Sequence, residues 1–353
     1  MIIPIFIPHL GCPQICVFCN QHAITGFEQS VTQVQKARRV IETYLEGSQK
    51  KDRIEIAFYG GSFTALSMPL QLQYLEMGSH YIKTGRVDAL RLSTRPDAID
   101  PVHLKRLKAC GVELIELGAQ SFDDRVLSMS ERGHSAEAIR KASGMIHEAK
   151  MALGLQLMVG LPGDTPESDE AGVMESLRLN AQTLRIYPTL VLKGTALAEL
   201  FRKGVYKPLT LVEAVARVAT MTDLLETENL KREESARVKL IRVGLQESEN
   251  LRDPEAVLAG PHHPAFRSLV DSERFRRKME ACQEKGCWRD KNLEIHLHPS
   301  DLGSFAGHKR SNLHYLKNTY GVLNTRMVSD PGIASMQFDI RILQGKQEVT
   351  SCF

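Results

Sequence analysis

Short runs of β-branched and aromatic residues alternate with longer segments of helical apolar spacing through roughly the first 200 residues. Ile2 to Ile7 reads as a buried strand ending at Pro8. Ile54 to Tyr59 forms a second, closed by Gly60-Gly61-Ser62-Phe63, and Leu90 to Ser93, Leu114 to Ala119, Leu155 to Val159 and Leu184 to Leu190 supply four more. Helices are predicted between them over Ser30 to Leu45, Leu70 to Lys83, Val102 to Cys110, Ala136 to Lys150 and Glu167 to Asn180. Strands separated by helices need right-handed crossovers and a parallel sheet. The fold class is therefore α/β, with a partial or complete parallel (βα)6 barrel, or an open sheet as the other arrangement.

Beyond this unit the pattern changes. Leu211 to Leu230 keeps helical spacing, and Lys231 to Arg242, rich in both charges, reads as a solvated helical face or part of a basic rim. Leu293 to His298 alternates as a strand, followed by a short helix over Asp301 to Ala306, a basic turn Gly307-His308-Lys309-Arg310, a helix over Ser311 to Tyr320 and a strand over Leu323 to Val328. The expected organisation is a barrel over 1–210, a helical connector over 211–288 and a small α+β domain over 289–353.

Composition narrows the class. The 353 residues are 42% apolar, enough for a substantial core, and the net charge of +3 names no polyanionic partner by itself. No apolar run is long enough to cross a bilayer and the N-terminal one is too short for a signal peptide, so a cytoplasmic protein with no membrane partner is expected. Seven cysteines are sparse and odd in number, which disfavours a disulfide framework.

Three of those cysteines carry the chemistry. Cys12, Cys16 and Cys19 stand on one short loop just after the first strand, spaced to ligate three irons of a 4Fe-4S cube and leave the fourth iron open. A structural zinc site wants four N or S ligands, and no suitable second pair follows nearby. Cys282, Cys287 and Cys352 fall short of a second ligand set, Cys110 reads as a core residue, and the adjacent His262 and His263 offer too few ligands for a metal. Unusual residues also fall near C-terminal strand ends, where parallel barrels build active sites: Gly60-Gly61, Thr94-Arg95, Gln120-Ser121, Gly160 and Tyr187. Gly60, Gly61 and Ser62 permit close backbone approach to a ligand. Gln120 shares one strand face with Glu116, and Arg132 can pair bidentately with a carboxylate.

The spacing Cys12, Cys16, Cys19, with Phe18 before the last cysteine, resembles the radical SAM superfamily. That resemblance implies S-adenosylmethionine (SAM) chelated at the open iron, its reductive cleavage to a 5'-deoxyadenosyl radical, and an electron donor such as a flavodoxin or ferredoxin. It assigns the cluster to Cys12, Cys16 and Cys19 and SAM binding to Gly60, Gly61, Ser62, Gln120 and Arg132. The strings Arg95-Pro96-Asp97, Gly118-Ala119-Gln120-Ser121 and Arg132-Gly133-His134 are similar to the group holding oxygen-independent coproporphyrinogen oxidase and the radical SAM half of the Elongator catalytic subunit. Ile186 to Thr195 and on to Tyr206 is similar to the latter. Ser93 stands where both relatives place a glutamate that contacts SAM, and the chain lacks the length for the Elongator acetyltransferase domain. The C-terminal order of elements resembles the core of a KH domain, with Arg310 in place of the second glycine of its GXXG loop. An enzyme modifying tRNA or rRNA is expected, with Tyr187, Lys193, His308, Lys309 and Arg310 as candidate RNA contacts. A small-molecule substrate such as a tetrapyrrole, and a non-catalytic RNA- or haem-binding protein that keeps a cluster, are the alternatives.

Overall fold

The structure, a computed structural model, describes residues 1–7, 12, 15–19, 33–47, 53–245, 255–283, 288–344 and 347–352. Gly11, Pro13, Gln14, Cys287 and the start of the helix predicted from Ser30 lie outside them. Two compact units divide the chain: 1–214 with 224–264, and 215–223 with 265–353. Among the described residues no helix is long and apolar enough to cross a membrane.

The first unit is built on a seven-stranded parallel sheet. Its strands are β1 (Ile2–Ile7), β2 (Glu55–Gly60), β3 (Ala89–Thr94), β4 (Val112–Gln120), β5 (Ala152–Val159) and β6 (Thr183–Pro188). Beyond the short strand β7 (Val191–Leu192) comes the seventh member, β8 (Lys239–Val243). They pair in chain order and curl into a half-barrel. The crossovers carry α1 (Gln33–Glu46), α2 (Met68–Lys83), α3 (Pro101–Ala109), α4 (Asp124–Met129), α5 (Ala136–Glu148) and α6 (Pro166–Arg178). Two further helices follow, α7 (Ala196–Arg202) and α8 (Leu211–Leu230), and β9 (Val257–Ala259) pairs with β7. Local chemistry sets the helix starts. Asp100 caps α3 ahead of Pro101, and Thr165 with Ser168 closes a capping box on α6 ahead of Pro166.

The β8 strand corrects the reading of Lys231 to Arg242 as a solvated helical face. Lys239, Leu240 and Arg242 pair with β6, and an edge strand keeps charged side chains on its open side. The stretch 211–288 holds the long helix α8 and also two strands, and it is shared between the two units.

One face of the half-barrel is apolar. Ile3, Ile56, Phe58, Leu90, Leu92, Ile115, Leu117, Leu153, Leu184 and Ile186 are fully buried. The alternate positions on the same strands are Glu55, Tyr59, Arg91, Glu116, Gln156 and Arg185. Parallel barrels close their lumen with stacked Val, Ile and Leu, so a polar inner face leaves this one able to receive a polar ligand.

The second unit packs α9 (Phe266–Gln283), α10 (Leu302–Ala306) and α11 (Ser311–Tyr320) with β10 (Asn292–Leu297), β11 (Asn324–Ser329), β12 (Phe338–Gln344) and β13 (Gln347–Cys352). Its core gathers Phe275, Trp288, Leu293, Ile295, Phe305, Leu316 and Ile340. The predicted order of strand, short helix, glycine turn, helix and strand is present, with β10 and β11 parallel.

Candidate functional site

The cysteine loop is tied to the first unit through Val17. Its amide donates to the Ser130 carbonyl at 3.2 Å, its carbonyl accepts from Leu197 at 2.7 Å, and its side chain packs with Val191, Leu197, Ala198 and Tyr206. Cys19 closes a turn onto the Cys16 carbonyl at 2.9 Å. Cys16 is buried, whereas Cys12 and Cys19 are half-buried.

All three cysteines line one cleft with Phe18, Gly60, Gly61, Ser62, Ser93, Thr94, Arg95, Gly118, Gln120, Arg132 and Gln156. These residues come from the C-terminal ends of β2, β3 and β4, the middle of β5 and the connections beyond, as parallel α/β sheets arrange their ligand sites. Every candidate cluster and SAM residue named from the sequence is in this lining. Tyr187 and Lys193 are not: Tyr187 lies half-buried beside Arg185, and Lys193 pairs with Glu255 at 2.8 Å on the surface. His308, Lys309 and Arg310 stand exposed on a turn of the second unit. Cys110 is half-buried at the end of α3, Cys282 packs against the second unit's core, and His262 is exposed.

Thr94 and Arg95, noted in the sequence at a strand end, and Ser93 are in the lining, whereas sequence reasoning passed over Gln156. The available signal was the recurrence of polar residues at every second strand position, which in a parallel sheet marks a face that is not core.

Close approach and a strained residue meet in the cleft. Gly60 ends β2 with φ 104°, a conformation reserved for glycine, and a Cβ on Gly118 would lie 3.1 Å from Gln120 Nε2. Gln120 holds φ 67° without being glycine, which costs roughly 1–2 kcal/mol. Its Oε1 is buried with no hydrogen-bond partner among the described residues. Strained backbone and an unsatisfied acceptor at one residue mark a position shaped for a ligand.

Donors already face the sulfurs. Ser62 Oγ lies 3.1 Å from Cys12 Sγ, and Arg132 Nη1 donates to Cys16 Sγ at 3.1 Å. Arg132 Nη2 donates to the Gly118 carbonyl, and its own carbonyl accepts from Arg95 Nη2. Arg95 is clamped bidentately by Asp97 at 2.9 and 3.0 Å. Arg95 Nη1 and Arg132 Nε are buried without partners among the described residues. Nearby, burial and the Arg132 charge push the His134 imidazole down to about 4, so it is neutral at neutral pH.

Beneath the cleft, Glu116 accepts from Tyr59 at 2.9 Å, Gln156 at 3.3 Å and Arg185 at 3.0 Å, with Arg91 Nη2 also 3.0 Å away. Arg185 stacks 4.8 Å from the centre of the Tyr59 ring, and burial, then the Glu116 charge, raise the Tyr59 phenol. The carboxylate holds the Gln156 amide nitrogen, so the Gln156 carbonyl is the end left to meet a ligand in the cleft.

The residues present fit an iron–sulfur group. Three thiols share the cleft, two have hydrogen-bond donors on them, and unsatisfied donors and an acceptor stand beside them. Among the described residues no three His, Cys, Asp or Glu side chains are arranged to hold a metal ion. A cube differs from an ion in taking its thiolates on three separate irons.

A half-barrel with a three-cysteine loop and a glycine-lined cleft at its strand ends defines a class of enzyme, and comparison with known proteins agrees. The model of the Radical SAM superfamily matches residues 6–171, and that of the Radical_SAM C-terminal domain matches residues 181–276. The chain belongs to the radical SAM superfamily, whose enzymes use a 4Fe-4S cluster and SAM.

Among curated proteins it is similar to the tRNA uridine(34) acetyltransferase of Dehalococcoides mccartyi, 27% identical over 56% of this chain and 50% of that protein. Elongator complex protein 3 of Homo sapiens is 26% identical over 61% of this chain and 47% of its own length. The chain thus spans about half the length of these relatives. Among solved structures, the archaeal Methanocaldococcus infernus Elp3 with an N-terminal deletion superposes with a TM-score of 0.58. That match covers 97% of this chain and 73% of the other, and at 19% identity it shows a shared fold.

Proposed function

We propose that this enzyme modifies RNA, of the tRNA or rRNA class, with Cys12, Cys16 and Cys19 holding the cluster and Gly60, Gly61, Ser62, Gln120 and Arg132 positioning SAM. The observation that carries the site is the convergence of all eight on one cleft. When bound, the cluster and SAM supply a radical able to take a hydrogen atom from an unactivated position. The chain's own residues do the rest. Gly60 and Gly61 let backbone approach the SAM amine, Gln120 Oε1 offers the unsatisfied acceptor, and Arg132 Nε offers a buried donor to the carboxylate. Gln156, held by Glu116, presents a carbonyl to the nucleoside part. Burial keeps water from the Cys16 sulfur. A low-potential flavodoxin or ferredoxin is the fitting donor.

Two observations support RNA. The relatives matched include enzymes named for tRNA. In the second unit, Lys309 and Arg310 adopt φ 51° and 61°, left-handed backbone that glycine takes most readily, and Arg310 stands where the GXXG loop has its second glycine. The exposed His308, Lys309 and Arg310 therefore sit on a tight turn leading into α11, suited to a phosphate backbone.

The test is anaerobic turnover. Reconstituted protein given SAM and dithionite is expected to release 5'-deoxyadenosine faster with RNA from cells lacking the gene than with RNA from cells carrying it. Nucleoside mass spectrometry then locates the product. Equal release with either RNA, and stimulation by a porphyrinogen instead, would contradict the RNA assignment.

A further inference from the structure

We propose that Arg132 is a positioning residue for the cluster, raising its reduction potential through a hydrogen bond to the Cys16 thiolate; this rests on the cluster reading above. Two buried guanidiniums stand in the cleft, Arg95 and Arg132, at 3% and 6% exposure. They are not equivalent. Arg95 is neutralised by the bidentate Asp97. Arg132 has no carboxylate within ion-pair distance among the described residues, and its side-chain partners are the Cys16 sulfur and the Gly118 carbonyl. A guanidinium does not deprotonate in a protein, so this charge is buried and uncompensated by the chain itself.

The anion it meets is the thiolate. A cube held by three thiolates is anionic, and one electron from a low-potential carrier adds one negative charge, with no bond to the protein made or broken. A fixed cation 3.1 Å from one ligating sulfur stabilises the reduced form more than the oxidised. Hydrogen bonds to the sulfurs and local charge are among the terms that set such potentials. The geometry is held in place beforehand. The Arg132 amide donates to the Leu127 carbonyl at 3.0 Å, Arg95 holds its carbonyl, and the Gly118 carbonyl accepts from Nη2.

Anaerobically reconstituted wild-type, Arg132→Gln and Asp97→Asn proteins, all without SAM, are titrated with dithionite and mediator dyes, and the reduced cluster is read by EPR. Arg132→Gln should lower the ratio of reduced to oxidised cluster about tenfold at the wild-type midpoint, equivalent to about 59 mV for one electron. Asp97→Asn, which uncovers the Arg95 charge in the same cleft, should shift the ratio the other way. An unmoved midpoint in Arg132→Gln with full iron content overturns the inference and leaves the cluster reading standing. If Arg132→Gln keeps no iron, Asp97→Asn decides, and a midpoint at or below wild type overturns it. A wild-type protein that takes up no cluster overturns the underlying reading instead. A purely structural role for Arg132 would alter iron retention and leave the midpoint in place.

Discussion

Arg185 Nη2 lies 3.0 Å from Glu116 Oε1, joining β6 to β4 across the intervening strand β5. Glu116 is 1% exposed, and Arg91 reaches the same carboxylate from β3. One buried anion therefore sets the spacing of the inner face beneath the cleft. Glu116→Gln leaves the Arg185 guanidinium buried without its charge partner and Arg91 with Glu55 alone, and a loss of roughly 3–5 kcal/mol is expected. Thermal or urea unfolding checks it, and a variant as stable as wild type would mean the network is solvated and incidental.

Gln120 presents an opposition between stability and binding. Gln120→Gly removes a left-handed penalty and should stabilise the fold by up to roughly 1 kcal/mol. The same change removes the buried Oε1 and should weaken SAM binding about tenfold, the worth of one hydrogen bond. Calorimetric titration with SAM beside a melting curve measures both. A variant that gains stability and keeps full affinity would remove Gln120 from the SAM site.

His134 gives an acid-side prediction. Its folded value of about 4 lies below the ordinary 6.5, so the unfolded chain takes up the proton first. Stability from this residue is present above pH 6.5 and is lost as pH falls from there toward 4. His134→Asn should flatten that limb relative to wild type in unfolding measured across the window. Parallel curves would show that the imidazole is not buried as described.

The second unit makes a prediction independent of the cluster. Replacing Lys309 and Arg310 by Ala should weaken single-stranded RNA binding and reduce the slope of log K against log salt by roughly 1.4, about 0.7 for each phosphate no longer neutralised. Filter binding or fluorescence anisotropy over a salt series reads it. Unchanged affinity and slope would take the turn out of the RNA interface.

Much of this was legible because the relevant signals are local. The six strands β1 to β6 are runs of β-branched and apolar residues, and the cysteine spacing lies within one loop. The β8 strand was not legible, because Lys239 and Arg242 break its apolar run and only an edge position accommodates them. Gln156 was also missed as a cleft residue. Its part depends on the Glu116 that the adjacent strand β4 brings beside it, 40 residues away in the chain, and no local window contains that. Arg310 looked like a departure from a glycine turn. The structure gives it φ 61°, the conformation glycine would have supplied.

The central claim is an iron–sulfur cube with one iron left for SAM, held by Cys12, Cys16 and Cys19. It is tested most directly by the EPR spectrum of the anaerobically reduced protein, recorded before and after adding SAM, beside iron and zinc analysis. The account predicts about four irons per chain, a spectrum that changes on SAM addition, and loss of both with Cys16→Ala. Zinc in place of iron, or a cluster signal that SAM leaves untouched, would contradict it.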